Sequence, residues 1–315
     1  MVNMNELTFR KCTIDKYVAN FVFYSCYLSQ VELAKVEDAL QDESWVEDRL
    51  DEFHQFQRND VWTLVPRLEG VNIIGTKWIS LVPIARLESI QVLLALACHL
   101  KFKLYQMDVK SAFLNGFLKE EVYAALPKGF VDPQFPNHVL YLKNALYGLK
   151  KAPRAWYDRL TKYLVLNGFS RGQADQTLFI KKVEGELAVA QVYVDDIIFG
   201  STKDELAHSF TSMMQTKFEM SIIGELNYFL GLQIWYSDLG IFIYQYKYAK
   251  NLLKKFGLEF ASSVRTPMSR NVKLTVDFLG KSVDPSLYRN MIGGLLYLTT
   301  SRPDINYSIG VCARY

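Results

Sequence analysis

Two adjacent carboxylates, Asp195 and Asp196, stand inside the apolar stretch QVYVDDIIFGS at residues 191–201. The β-branched and aromatic residues around them predict a buried strand, where an ionised carboxylate is costly unless its charge is compensated. Neighbouring side chains of a straight strand point to opposite faces, so both aspartates can serve one site only where the chain turns. We therefore predict a tight hairpin with strands 187–194 and 197–200 and the aspartate pair at its tip. A solvated turn is the alternative, because Asp is a common turn residue.

A third carboxylate, Asp108, ends the strand-like segment FKLYQMDV. Clustered carboxylates repel one another, and divalent cations relieve that repulsion. Magnesium prefers hard oxygen ligands and is usually held by one or two carboxylates together with substrate phosphates. Two such ions about 3.5–4 Å apart clamp the attacking and leaving oxygens of an in-line phosphoryl displacement. If Asp108 lies beside Asp195, these residues favour metal-dependent phosphoryl transfer. A metal-dependent nuclease would use a similar cluster, but the sequence shows no nuclease motif and no general base for one.

The elements that must position these aspartates are predicted from hydrophobic periodicity. The segment 86–100 (RLESIQVLLALACHL) has its apolar residues on one face and predicts a helix that leads into FKLYQMDV. A second helix is predicted from about Pro153, closed by Asn167-Gly168. The segment TLFIKKVEGELAVAQVYV predicts two strands joined at residues 184–186, and the second of them is the first strand of the aspartate hairpin.

A third helix is predicted after the hairpin, with Ser201 and Asp204, and Thr202 and Glu205, as capping boxes at its start. The resulting order of strand, helix, paired strands and helix is that of a split βαβ layout, which brings distant strands side by side. We therefore expect Asp108 to lie beside the aspartate hairpin.

Composition places the chain among ordinary globular proteins. It has 315 residues, of which 50% are hydrophobic and 22% charged, and a net charge of +3 permits a nucleic-acid partner without arguing for one. Its four cysteines are scattered without the spacing of a zinc or redox site. No apolar run is long enough for a membrane span, and the N-terminus has no signal-peptide pattern. We expect an intracellular protein, cytoplasmic or nuclear, that is not secreted.

Several longer motifs resemble one family. QMDVKSAFLNG, LYGLKKAPRAWY and YVDD, in this order, resemble the reverse transcriptase of copia-type LTR retrotransposons, and RNDVWTLVP, IGTKWI, YFLGLQI and SRPDI extend the resemblance. It implies an α+β right-hand polymerase of fingers, palm and thumb, with a ferredoxin-like split βαβ palm. The implied segments are an N-terminal segment (1–35), truncated fingers and palm (36–202), a thumb-like region (203–260) and a C-terminal connection (261–315) without RNase H.

The resemblance also implies the catalytic residues. Asp108, Asp195 and Asp196 match the catalytic, metal-binding aspartates, which would hold two Mg²⁺ ions, or Mn²⁺ in their place. Asp108 and Asp195 would be the main ligands, with Asp196 more peripheral. Phe113 matches the aromatic steric gate, whose ring occupies the space of a ribose 2′-hydroxyl. A core position is the alternative for Phe113.

Substrate contacts follow from the same resemblance. The implied partners are an RNA or DNA template with its primer, and deoxynucleoside triphosphates. Other products of the same polyprotein are further implied partners, and virus-like particles are an implied location. No membrane partner is expected. The residues implied in nucleotide binding are Phe113, Tyr147, Gly148 and Lys150, and those implied in primer or template binding are Tyr193, Val194, Leu230 and Gly231. For Leu230-Gly231 the alternative is a simple hairpin turn.

One segment of the family pattern is missing. Copia-type enzymes carry a basic fingers segment between the KW motif and the PVARL motif, but here Trp78-Ile79 is followed almost at once by SLVPIAR at residues 80–86. Two hypotheses therefore remain: an RNA-directed DNA polymerase, and a catalytically impaired remnant that keeps the palm fold and some nucleic-acid binding. The genomic sequence around codons 78–82 distinguishes a true deletion from a faulty gene model.

Overall fold

The chain is described by a computed structural model, which covers residues 55–56, 58–74, 87–125, 137–147, 149, 151–264, 266–268, 280 and 283–314. These residues fall into two compact units that divide between Leu226 and Asn227. Both units mix helices and strands, which confirms the predicted α+β class at that level. Within the described ranges, no helix has both the length and the apolar character of a membrane span.

Among its described residues, the first unit contains two sheets, three helices described over their whole length, and helical residues at 55–56 and 58. Its elements, in chain order, are β1 (Trp62–Pro66), β2 (Ile73–Ile74), α1 (Leu87–Leu100), β3 (Leu104–Val109), β4 (Phe117–Ala124), β5 (His138–Asn144), α2 (Ala152–Leu166), β6 (Ser170–Arg171), β7 (Leu178–Val183), β8 (Glu186–Tyr193), β9 (Asp196–Ser201), α3 (Asp204–Lys217) and β10 (Met220–Glu225). A short 3₁₀ turn, Ala112–Asn115, connects β3 to β4.

The larger sheet, called here the central sheet, has the strand order β10-β3-β9-β8-β7-β6. Each neighbouring pair is antiparallel, so β3 and β8 run parallel with β9 between them. The unit β3-α2-β8 is therefore a split βαβ, and β9-α3-β10 returns the chain to the other side of β3. This topology carries the strand of Asp108 next to the strand of Asp196.

The predicted helices form because each buries one apolar stripe. Helix α1 buries Ile90, Leu93, Leu94 and Ala97. The helix predicted from Pro153 is α2, and Gly168, just beyond it, has a φ of 84° that suits glycine. Both predicted helices are confirmed.

The main core lies between one face of the central sheet and helices α2 and α3. Alternate strand residues enter it, with the large side chains of the two helices packed against them. The cluster includes Met107, Val109, Val192, Ile197 and Phe199 from the strands and Trp156, Leu160, Leu164, Phe210 and Met214 from the helices. The intervening strand residues, among them Gln106 and Asp108, consequently point to the opposite face.

The capping boxes predicted for the third helix are wrong. Helix α3 begins at Asp204 and has no side-chain hydrogen bond at its N-cap. The Ser201 hydroxyl donates to the carbonyl of Lys203 at 2.6 Å, and the Thr202 hydroxyl bonds to the carboxylate of Glu186 instead. Both hydroxyls are thus engaged by local turn and cross-strand contacts, which compete with capping.

The smaller sheet of the first unit has the order β1-β5-β4-β2. Strands β4 and β5 pair antiparallel, whereas β2 and β4 are parallel. The junction at residues 78–86 and the segment 1–35 lie outside the described residues.

The second unit joins a three-stranded sheet to helices. Its elements are β11 (Tyr228–Phe229), β12 (Leu232–Ser237), β13 (Gly240–Tyr244), α4 (Tyr246–Lys255), α5 (Pro285–Leu298) and α6 (Asn306–Cys312). Helices α4 and α5 approach closely at Gly294, whose carbonyl accepts a hydrogen bond from the Tyr248 hydroxyl at 3.0 Å. The division between the units falls within the segment 203–260 predicted as thumb-like, because α3 and β10 belong to the first unit.

Candidate active site

Strand register brings two of the three predicted aspartates together. Asp108 on β3 and Asp196 on β9 are directly opposite each other. Opposed residues of an antiparallel pair share one face, with Cβ atoms about 4.5–5.5 Å apart. Tyr193 lies opposite Asp196, and Ser221 lies opposite Asp108, so one polar row crosses four strands. Asp108 is buried and only 6% exposed, whereas Asp196 is half-buried.

The third aspartate, Asp195, occupies the turn between β8 and β9. The predicted hairpin is present, but its strands are 186–193 and 196–201, so the turn consists of Val194 and Asp195. The prediction that both aspartates form the tip of the hairpin is therefore wrong, because Asp196 is a strand residue that pairs with Tyr193.

Val194 holds an unusual backbone conformation in this turn. Its φ is 56°, which a β-branched residue rarely adopts. Such a residue costs on the order of 1–3 kcal/mol and persists only when its surroundings enforce it.

Two hydrogen bonds enforce the turn. The indole Nε1–H of Trp156 donates to the carbonyl of Val194 at 2.5 Å, and the amide of Val109 donates to the carbonyl of Asp195 at 2.8 Å. The sequence predicts the helix that carries Trp156 but not this contact. The available signal was chemical, because a buried indole N–H usually finds an acceptor.

The carboxylate of Asp196 has a neutral partner. The amide of Gln106 donates to Asp196 Oδ1 at 2.8 Å. Within the described residues, no three His, Cys, Asp or Glu side chains converge as a ready metal site. Asp108 and Asp196 nevertheless present carboxylate oxygens, the hard ligands that divalent cations prefer, on register-paired strand positions. An ion bound by Asp196 would compete with Gln106 for Oδ1.

Phe113 and Tyr147 lie beside each other. The Phe113 ring is 4% exposed and belongs to the main core, and its centroid is 4.8 Å from that of Tyr147, which is 42% exposed. Phe113 thus has the burial of a core residue and also contacts a ring that reaches solvent. Gly148 and Lys150 lie outside the described residues.

Leu230 and Gly231 form the turn between β11 and β12 in the second unit. Both have positive φ, 47° and 75°, as two-residue hairpins of type I′ require. The carbonyl of Leu230 accepts a hydrogen bond from the Tyr297 hydroxyl on α5. This is the turn geometry of the hairpin alternative, and the predicted primer contact stays a prediction.

A carboxylate that sequence reasoning missed, Asp175, supports the loop before β7. It accepts hydrogen bonds from the Ser89 hydroxyl at 2.6 Å, from Gln191 at 3.0 Å, and from both the amide and the hydroxyl of Thr177. Burial would raise the pKa of Asp175, but these donors outweigh it and the pKa is lowered. Burial, and secondly the charge of Asp175, raise the pKa of Tyr193 well above its usual value, so its phenol stays neutral.

Known proteins share this chain's motifs over most of its length. A family model described as reverse transcriptase (RNA-dependent DNA polymerase) matches residues 79–270. The retrovirus-related Pol polyproteins from transposons RE1 and RE2 of Arabidopsis thaliana are each 32% identical to this chain, over 88% of its length. That from transposon TNT 1-94 of Nicotiana tabacum is 29% identical over 74%. The chain spans 21% of the length of each of the first two relatives and 18% of the third.

Proposed function

Because this chain belongs to the reverse transcriptase (RNA-dependent DNA polymerase) family, as found in copia-type retrotransposon Pol polyproteins, we propose that its first unit carries the nucleotidyl-transfer centre. The observation that carries this proposal is the register pairing of Asp108 with Asp196, with Asp195 in the adjoining turn. In this proposal the central sheet is the palm, the β1-β5-β4-β2 sheet belongs to the fingers, and the second unit supplies the thumb and connection.

The aspartates are assigned different duties. Asp108 and Asp195 are the main ligands of two divalent ions, Mg²⁺ or Mn²⁺, and Asp196 is peripheral, which fits its hydrogen bond from Gln106. When bound, the ions neutralise charge on the attacking and leaving oxygens of the phosphoryl transfer. The chain's own contribution is to hold the carboxylates in place through the β3-β9 ladder and the two hydrogen bonds to the turn.

The substrates are an RNA or DNA template with its primer, and deoxynucleoside triphosphates. Phe113 is assigned as the residue that restricts the space at the ribose, and the contact of its ring with the half-exposed Tyr147 ring supports this assignment. The remaining assignments are Gly148 and Lys150 to the nucleotide, and Tyr193, Val194, Leu230 and Gly231 to the primer or template. We further propose an intracellular location, either in the cytoplasm, including virus-like particles, or in the nucleus.

Primer extension tests the proposal. In a version with the fingers segment restored, Asp108→Asn removes one charge from the polar row and is expected to lower dNTP incorporation by at least about 10²-fold, as loss of a preorganised electrostatic group does. Asp158→Asn is the matched control, because Asp158 pairs with Lys119 on the surface of α2. Equal activity of the Asp108 and Asp158 variants would remove the catalytic assignment.

The alternative is a catalytically impaired remnant. The alignment with the RE1 relative is 311 positions long, but it covers only 88% of this 315-residue chain. The alignment therefore includes positions at which the relative has residues and this chain has none. The family match also begins at residue 79, beside the junction where the fingers segment is missing. Sequencing the genomic DNA across codons 78–82 decides between a deletion and a faulty gene model: an in-frame basic segment there would reject the remnant.

A further inference from the structure

The solvent face of the three-stranded sheet carries rings where polar side chains are usual. Trp235 on β12 and Phe242 on β13 are register partners and are 62% and 60% exposed. Tyr228 and Tyr244 both lie opposite Gln233, two residues from Trp235 and therefore on the same face. We call Tyr228, Trp235, Phe242 and Tyr244 the aromatic face.

These rings are additional to the core of the sheet. The opposite face already buries Phe229, Leu232 and Ile234, each no more than 4% exposed. On the aromatic face, the Phe242 and Tyr244 rings stack with centroids 5.5 Å apart and an interplanar angle of 26°. Residues two apart on a strand are separated by about 7 Å, so the rings form two rows across this face of the sheet.

Positive charge borders the aromatic face. Helix α4 follows β13 directly and carries Lys247, Lys250, Lys254 and Lys255 without any Asp or Glu. The Lys247 amide donates to Gln233 Oε1 at 2.9 Å, and its ammonium lies 6.0 Å from the Tyr228 ring centroid. The cationic helix therefore starts at one edge of the aromatic rows.

We propose that the aromatic face binds single-stranded nucleic acid, with unpaired bases stacked on the rings and phosphates near the lysines of α4. Exposed rings beside cations are the combination that binds single strands with little sequence preference. Nucleic acid is the partner class because base stacking needs flat rings and the bordering charge is positive. The proposal extends the nucleic-acid partner of the proposed function to a second site that needs neither the aspartates nor metal.

Fluorescence anisotropy of the purified 315-residue chain with a labelled 20-nucleotide oligo(dT) or oligo(U), without metal or dNTP, tests this site. Trp235→Ala and Phe242→Ala are each expected to weaken binding about 5- to 160-fold, the range for losing one base-stacking ring. Leu239→Ala is the matched control, because Leu239 is a fully exposed apolar residue of the same hairpin outside its strands, and it should bind as the parent does. Rising salt should weaken binding by the parent.

A second readout locates the oligonucleotide. Tryptophan fluorescence of the parent should fall on binding, and Trp235→Phe, which keeps a ring, should bind within a few-fold of the parent while losing most of that quenching. Parent-like binding by both alanine variants would overturn the proposal. Two other results would also overturn it. In the first, the parent sediments as a dimer, and Trp235→Ala makes it monomeric without changing oligonucleotide binding. In the second, the parent binds anionic vesicles but no oligonucleotide. None of these outcomes depends on polymerase activity.

Discussion

At the scale of single residues, the candidate site depends on how the turn at Val194 is held. A β-branched residue at φ 56° is strained, and the Trp156 indole and the Val109 amide bond to the carbonyls of the two turn residues. Since these hydrogen bonds are made to the backbone of the turn that carries Asp195 and precedes Asp196, their loss should first displace the carboxylates of these two residues.

Trp156→Phe keeps a ring in the core and removes the N–H. We expect hydrogen exchange at Asp195, Asp196 and the Val109 amide to accelerate about 5-fold, because one hydrogen bond contributes about 1 kcal/mol to closing the turn. In a fingers-restored version, kcat should fall while KM changes little.

The control for this substitution lies on the same helix. Tyr163→Phe also removes a hydrogen bond to a backbone carbonyl, that of Met213 at 2.7 Å, and Tyr163 contacts Phe218 as Trp156 does. Equal exchange in the turn of both variants would mean that Trp156 acts only as core. Val194→Gly, which removes the strain, should make Trp156→Phe milder.

Phe113→Ala tests the steric gate against the core interpretation. In a fingers-restored version, we expect the variant to incorporate ribonucleotides, because removing the ring opens room for a 2′-hydroxyl. It should also be less stable, by about 3–5 kcal/mol for a buried Phe.

Phe169→Ala separates these two effects. Phe169 is 5% exposed in the same core but is not assigned to the substrate, so its loss should cost stability and leave the preference for dNTP over rNTP unchanged. The ratio of single-nucleotide incorporation rates is the measurement. If Phe113→Ala keeps the parent's ratio, Phe113 is core and not gate.

At the scale of elements, the close approach of helix α2 to the 3₁₀ turn Ala112–Asn115 positions Trp156, which contacts the turn of the candidate site. A Cβ on Gly116 would lie 2.6 Å from the backbone nitrogen of Trp156 and 2.9 Å from Ala155 Cβ. The guanidinium of Arg159 donates to the carbonyl of Asn115 at 2.5 Å across the same contact. The position of Trp156, and with it the turn, thus depends on a residue without a side chain.

Gly116→Ala should therefore force α2 away and destabilise the chain by about 1–3 kcal/mol, the usual cost of overpacking. Gly310→Ala is the same chemical change in helix α6, where nothing lies within 4 Å of the added Cβ, and should stabilise by about 0.5–1 kcal/mol. Midpoints of urea unfolding should move in opposite directions. A Gly116 variant as stable as the parent would show that α2 tolerates the displacement.

Local elements were predictable and their long-range contacts were not. The periodicity of 86–100 predicts α1 well, because burying one stripe decides where a helix forms. The predictions of the hairpin tip and of the capping boxes are wrong because both features depend on cross-strand partners. These partners are Tyr193 for Asp196 and Glu186 for Thr202. The bond between Trp156 and Val194 spans 38 residues, which no local pattern records.

At the scale of the whole molecule, the proposed function depends on the basic fingers segment that the resemblance implies between residues 79 and 83 and that this chain does not have. In the proposed two-metal site, three aspartates beside two divalent ions would leave part of the negative charge of a bound triphosphate uncompensated. Fingers cations would meet it, and Lys77 and Arg86 are the basic residues that flank the junction in the sequence. We therefore expect this chain to lose more of its primer-extension rate than of its affinity for primed template, relative to a fingers-restored version. Affinity suffers less because phosphate contacts are distributed over a large surface.

The most direct measurement is single-nucleotide incorporation on a primed RNA template with Mg²⁺, compared between this chain, a fingers-restored version and that version with Asp108→Asn. We predict that the restored version is at least about 10²-fold faster than the chain as it stands, since the loss of one preorganised electrostatic contact costs about that much. Asp108→Asn should return the restored version to background. Comparable rates for all three proteins would contradict the account, because neither the aspartate row nor the fingers segment would then matter for nucleotidyl transfer.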